Sequence, residues 1–243
     1  MATRIIAIAN QKGGVGKTTT THNITTHLAI RGYSVLAIDL SPQRGGLTKL
    51  SQVHVDQTIA DVLGGAHAPT ATLRTVAQTT AFGYDIAPSN MGLANVAAGL
   101  AQRAPSAFGC EHLIALRSAI QEEGHRWDYV LIDTAADPTG VLTFNALVAA
   151  DTVIAPTQAE RLSLHDLGET LQLLDRIDTA FGPKRTLHII ATMVDLRLLD
   201  HQAHIDALGK YNPLVIPARR GQTADEEIFR AYAPIADTLE ATQ

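Results

Sequence analysis

The residues best suited to chemistry sit near the amino terminus, in Asn10-Gln11-Lys12-Gly13-Gly14-Val15-Gly16-Lys17-Thr18-Thr19. Glycines at 13, 14 and 16 let consecutive backbone N–H groups turn inward and line a concave anion site. A Gly-Lys-Thr triplet closing such a loop is the pattern of a phosphate-binding loop. Lys17 would reach the β- and γ-phosphates of a nucleotide, and the Thr18 hydroxyl would sit on Mg²⁺. Val15 and Thr19 complete the run that faces the ligand. A Gly-rich turn with a purely structural task has no need of that triplet.

Two acids extend the constellation. Asp39 ends the apolar run Ser34-Val-Leu-Ala-Ile-Asp39, and Asp133 ends Trp127-Asp-Tyr-Val-Leu-Ile-Asp133. Parallel sheets bind ligands at the carboxyl ends of their strands, so both acids belong beside the loop. An apolar strand closed by an acid, as in Val130-Leu131-Ile132-Asp133, is the form of a Walker B segment, which holds Mg²⁺ directly or through water.

These residues need a strand before the loop and a helix after it. Residues 4–9 supply the strand, and 17–31 read as a helix ended by Gly32. Thr18 to Thr21 are poor helix formers at its start, as expected where hydroxyls serve a ligand. Further strands are expected at 34–39, 84–87, 127–133, 152–155 (stopped by Pro156), 186–192 and 214–216. Helices are expected at 58–63, 91–102, 111–123, 162–179 and 201–208. Strands alternating with helices predict an α/β fold: a doubly wound, mostly parallel sheet with helices on both faces. Neither a repeat nor a low-complexity linker interrupts residues 1–243, so one domain is expected.

Hydrophobic residues make up 46% of the chain and charged residues 18%, an ordinary globular composition whose apolar runs are strand-length. The single cysteine, Cys110, excludes an internal disulfide and fits a reducing cytoplasm. A net charge of −5 gives no global attraction to nucleic acid, so any such binding needs a local basic patch. Among the histidines, His201 and His204 share a helix face, yet no third ligand stands at a zinc-like spacing. Trp127, at a strand start, reads as a packing anchor.

The loop departs from the ordinary motif at Gln11, where a glycine is usual, and adds Lys12. In this it resembles the deviant Walker A box, K-G-G-x-G-K-T-T, of the ParA/MinD-type ATPases, and most of all the Soj-like ParA partition proteins. The resemblance runs on through Asn145–Asp151, Pro156–Glu160, Thr192–Asp195 and Ile216-Pro217. It implies ATP and Mg²⁺ as cofactors, with Lys12 pointing across a dimer interface at the partner's phosphates. It further implies Asp39 in the Mg²⁺ shell and Met193 and Pro217 against the base. The family reads D-x-D-P-Q-G-N after the second strand, and its second aspartate positions or activates the attacking water. Here Ser41 holds that place, with Asp137 as a candidate substitute.

Family members bind DNA without sequence preference through basic residues in the carboxyl-terminal part. Arg197, Lys210, Arg219 and Arg220 are the candidates here. The expected partners are therefore a second copy with ATP, nonspecific DNA and a ParB-like or cargo-adaptor protein, in a nucleoid-associated, cytoplasmic setting. Residues 224–243 are too acidic for a membrane-targeting helix. The function implied is an ATP-driven dimerisation switch that positions DNA or another large cargo. The alternative is an ATP-locked switch with little hydrolysis, because a serine hydroxyl cannot serve as a carboxylate base. A small-molecule phosphotransferase, a third reading, leaves Lys12 without a use.

Overall fold

The computed structural model describes residues 2–43, 46–64, 71–102, 111–136, 140–160, 163–218 and 224–241. Among these, eight runs pair into one sheet: β1 (Arg4–Ile8), β2 (Val35–Leu40), β3 (Gln78–Thr79), β4 (Asp85–Ala87), β5 (Tyr129–Thr134), β6 (Thr152–Gln158), β7 (Thr186–Val194) and β8 (Leu214–Pro217). Their order across the sheet is β3-β4-β2-β5-β1-β6-β7-β8. Every neighbouring pair is parallel except β3 against β4. The helices are α1 (Lys17–Ile30), α2 (Leu47–Leu50), α3 (Ile59–Gly64), α4 (Leu73–Val76), α5 (Gly92–Gln102), α6 (Glu111–Glu123), α7 (Val141–Ala149), α8 (Ser163–Phe181), α9 (Leu199–Leu208), α10 (Ala224–Ala231) and α11 (Ala233–Ala241).

The central strands are covered on both faces, so their sequence is continuously apolar instead of alternating. The two-residue period still sorts side chains between two cores. Ile6, Ile8, Tyr129 and Leu131 pack with Ile24 and Leu28 of α1 and with Ile235 and Leu239 of α11. Ala7, Leu36, Val130 and Ile132 face the other way, toward α3, α5, α6 and α7. Trp127 is buried in this second core and donates Nε1–H to Asp85 Oδ2 at 2.9 Å. The fold is thus the doubly wound, mostly parallel sheet that the alternating pattern predicts.

Two local expectations are corrected. Pro156 does not stop β6, which continues to Gln158 beside β7. The proline carbonyl accepts from Asn10 on the β1 side, past the last residue of β1, so its missing N–H costs no ladder bond. The threonine run of α1 is only partly a ligand feature. Thr20 shares a 2.9 Å hydrogen bond with the Tyr232 hydroxyl, while Thr21 and Thr26 donate back to Lys17 and His22 carbonyls. Thr18 and Thr19 remain at the loop.

Candidate functional site

Three adjacent strands bring the site together. β2, β5 and β1 are neighbours, and in the sheet register Asp39 stands beside Asp133, which stands beside Ile8. The loop after β1 therefore starts in the same row as the two carboxylates, although 94 residues separate the acids in the chain. Asn10 anchors that loop: its Nδ2 donates to the Pro156 carbonyl at 2.7 Å and its Oδ1 accepts from Lys12 N at 2.9 Å. Gly14 and Gly16 take φ of 77° and 92°, left-handed values that let the loop curl into the start of α1.

Lys17 and Lys12 have different surroundings. Lys17 is buried, and its Nζ donates to the carbonyls of Asn10 at 3.0 Å and Lys12 at 2.8 Å. Burial pulls its pKa down to about 8, against the opposing pull of Asp133. Lys12 lies at the accessible rim, where its Nζ meets Glu160 Oε2 at 2.9 Å.

The carboxylates are both buried. Asp133 accepts from Thr18 Oγ1 at 2.8 Å and from Thr21 Oγ1 at 3.4 Å. Its pKa rises to about 7, first through burial and then through the Asp39 charge, with Thr18 and Lys17 opposing. Burial also raises Asp39, in spite of three hydrogen bonds to its charged form. Those come from Ser41 N at 2.9 Å, Thr48 N at 2.8 Å and Thr48 Oγ1 at 2.7 Å. Ser89 staples the arrangement, donating its N–H to Thr48 Oγ1 and its hydroxyl to the Ser41 carbonyl. Asp39, Asp133 and Thr18 offer only oxygen, the donor set of a hard divalent cation. A cation beside them would offset the desolvation and the mutual repulsion that raise Asp133, and the desolvation that raises Asp39, so these residues fit Mg²⁺.

Beyond Gly16 a cavity of about 700 Å³ opens, lined in part by Thr19, His22, Thr192, Met193, Pro217 and Phe229. Met193 stands at φ 57°, the left-handed region, within a bulge between β7 and β8. Such strain in a residue with a large side chain gathers at functional sites. Gln158 Nε2 approaches its sulfur at 3.3 Å.

The structure thus gathers residues 12–19, Asp39, Ser41 and Asp133 at one sheet edge, with Met193 and Pro217 on the cavity beside them. The basic candidates are not gathered. Arg197 precedes α9 and pairs with Asp195 at 3.0 Å, while Lys210 follows α9 and lies over the Tyr211 ring. A ten-residue helix is about 15 Å long, so those two stand at opposite ends of it. Arg219, Arg220 and Asp137 fall outside the described residues. Thr48, Ser89 and Tyr232 are the site residues that sequence reasoning missed. Ser89 and Tyr232 carried no signal because their partners are remote in the chain, and Thr48, nine residues after Asp39, has no motif to mark it.

A family model described as an AAA domain matches residues 3–189. The chromosome partitioning protein ParA of Caulobacter vibrioides is 36% identical over 197 residues, covering 80% of this chain and 71% of that protein. The chromosome-partitioning ATPase Soj of Thermus thermophilus is 38% identical over 197 residues, covering 81% and 72%. Among solved structures, cobyrinic acid a,c-diamide synthase from Mycobacterium smegmatis, with bound ATP analog and magnesium, superposes with a TM-score of 0.84. It is 30% identical, over 98% of this chain and 94% of that one.

Proposed function

Since this chain belongs to the ParA/MinD-type partition ATPases, we propose that it is an ATP-dependent dimerisation switch. As the ATP-bound dimer it binds DNA without sequence preference and positions DNA or another large cargo through a ParB-like or adaptor partner. The observation that carries this reading is the division between the two lysines. Lys17 is buried within its own loop, and Lys12 stands at the rim, held by a half-exposed glutamate. A phosphotransferase acting alone needs only the first. A lysine at the rim can serve the phosphates of a second copy.

ATP is the substrate, held by the backbone of Gly13, Gly14, Val15, Gly16 and Lys17, by the Lys17 ammonium, and by Thr18 and Thr19. Met193 and Pro217, which line the cavity, would contact the base. Thr18, Asp133 and Asp39 would hold Mg²⁺, which when bound neutralises charge on the β- and γ-phosphates. In hydrolysis a water oxygen bonds to the γ-phosphorus as the bond to the β-bridging oxygen breaks, and the water gives up a proton. Lys17 stabilises the charge that gathers on the leaving oxygen. Ser41 can accept or donate a hydrogen bond to that water but cannot hold it with a carboxylate's charge. Its backbone is well fixed, through its N–H on Asp39 and its carbonyl on Ser89. The second reading, a switch that loads ATP and turns over little, rests on that substitution.

The DNA part is tested by anisotropy on a random-sequence duplex. Binding is expected only with ATP and Mg²⁺. If a dimer neutralises about four to six phosphates, log K falls with log salt at a slope of roughly −4 to −5. Arg219→Ala with Arg220→Ala should weaken binding and flatten the slope. Binding that ignores ATP would remove DNA from the function.

A further inference from the structure

The wall of the nucleotide cavity carries a polar group that the reading above leaves unused. His22 lies three residues beyond Thr19 on α1, so both look out from one helix face, and both line the cavity. One helical turn of about 5 Å sets His22 that much farther from the phosphate loop, toward the nucleoside.

Its ring is held in place. Phe82 packs edge-on with ring centroids 4.6 Å apart. Nδ1 lies 3.1 Å from the Tyr84 hydroxyl, which lies 2.8 Å from the Ser51 hydroxyl. Tyr84 and Ser51 are both buried. Nδ1 is therefore spent on the protein, and Nε2 has no partner among the described residues. His22 is itself only partly buried, so a ligand in the cavity can reach its ring. Ligand cavities use few polar groups, each fixed in orientation, and a ring already immobilised loses little entropy when it meets a ligand.

We propose that His22 is a specificity-determining residue that hydrogen-bonds the nucleoside through Nε2, with Tyr84 and Ser51 as the positioning residues that orient it. The assignment rests on reading this cavity as the nucleoside end of the ATP site. It also links the two ends of that site. Ser51 caps α2, whose Thr48 holds Asp39, so one support serves the nucleoside and the metal-side acid.

The test compares two ligands on the full chain by calorimetry: Mg²⁺–ATP, and Mg²⁺–tripolyphosphate, which occupies the phosphate loop without a nucleoside. His22→Phe keeps a ring and removes the hydrogen bond. ATP affinity should fall about threefold to tenfold, the range of one net hydrogen bond, while tripolyphosphate affinity stays unchanged. Tyr84→Phe should give a smaller loss with the same selectivity, and His22→Gln should recover most of the ATP affinity. An equal loss for both ligands would make His22 a structural residue and overturn the proposal, as would ATP affinity that does not move. If the unsubstituted chain binds tripolyphosphate and not ATP, the cavity is no nucleoside site. If it binds neither, the reading of the whole site fails with it.

Discussion

Lys17 and Asp133 have each lost water without gaining a full counter-charge, which is why burial lowers one to about 8 and raises the other to about 7. A triphosphate with its cation supplies both at once. On the proposed reading Lys17→Ala removes an ammonium that serves the phosphates, and a charge-assisted contact is worth roughly 1.5–3 kcal/mol. ATP affinity measured by calorimetry should drop about tenfold or more; an unchanged value would remove the phosphate-loop assignment. Ser41 is tested in the opposite direction, by adding a carboxylate. Water-orienting or general-base groups contribute ~10²–10⁴-fold. A single-turnover assay should find Ser41→Asp faster by a sizeable part of that range, with little change in ATP affinity. Equal rates would mean that another group orients the water. At this scale the sequence was most legible for the loop and for Asp133, because a glycine run, a Gly-Lys-Thr triplet and an apolar strand ended by an acid are contiguous signals. Thr48 and Ser89 were illegible. Thr48 acts on Asp39 from α2, and Ser89 reaches Thr48 and Ser41 from beyond β4, a proximity that only the sheet creates.

The elements follow their local patterns where burial is two-sided and depart from them where a neighbour supplies what propensity lacks. β2 and β5 are fully buried, and their boundaries fall within two residues of the expected runs. α1 carries threonines against its propensity because Asp133, Tyr232 and preceding carbonyls take up the hydroxyls. β6 carries Pro156 because that residue's N side faces the loop beyond β1. The missing signal in each case is tertiary. α9 offers a test of an element carrying a mismatched residue. His204 is buried there, and among the described residues neither of its ring nitrogens has a partner. Burial, and secondarily the charge of His201, lowers its pKa below the ordinary 6.5. The folded state thus resists protonation that the unfolded state accepts. Its contribution to stability is complete above about pH 6.5 and is lost as pH falls from there toward the folded pKa. His204→Leu should therefore raise stability at pH 7.5 by about 1 kcal/mol, from the unsatisfied nitrogens, and by more at pH 5.5. Urea unfolding at the two values checks it. His22 and His188 are lowered in the same direction while the raised Asp39 and Asp133 act oppositely, so the quantity compared is the difference between His204→Leu and the unsubstituted chain at each pH. A gain no larger at pH 5.5 than at 7.5 contradicts the argument.

Across the molecule, the strand order places the phosphate loop beside both acids, and the carboxyl-terminal helices return to brace the first helix. Tyr232 reaches Thr20 across 212 positions, and Arg31 pairs with Asp237 and Glu240. Alternating strands and helices announced the sheet; nothing local announced that return. Among the described residues no helix is long and apolar enough to cross a membrane. The rim of the site holds the feature on which the proposed switch depends. Lys12 and Glu160 are partly exposed, and an exposed ion pair is worth only about 0.2–1 kcal/mol, so it can exchange partners readily. Two triphosphates brought face to face repel unless cations stand between them, and a lysine from each subunit would supply those cations.

The most direct measurement is the mass of the chain in solution by light scattering, with ATP, with ADP, and for Lys12→Ala with ATP. Mg²⁺ is present throughout. A switch of this kind gives a dimer with ATP, a monomer with ADP, and a monomer for Lys12→Ala that still binds ATP. A dimer in all three, or in none, would contradict it.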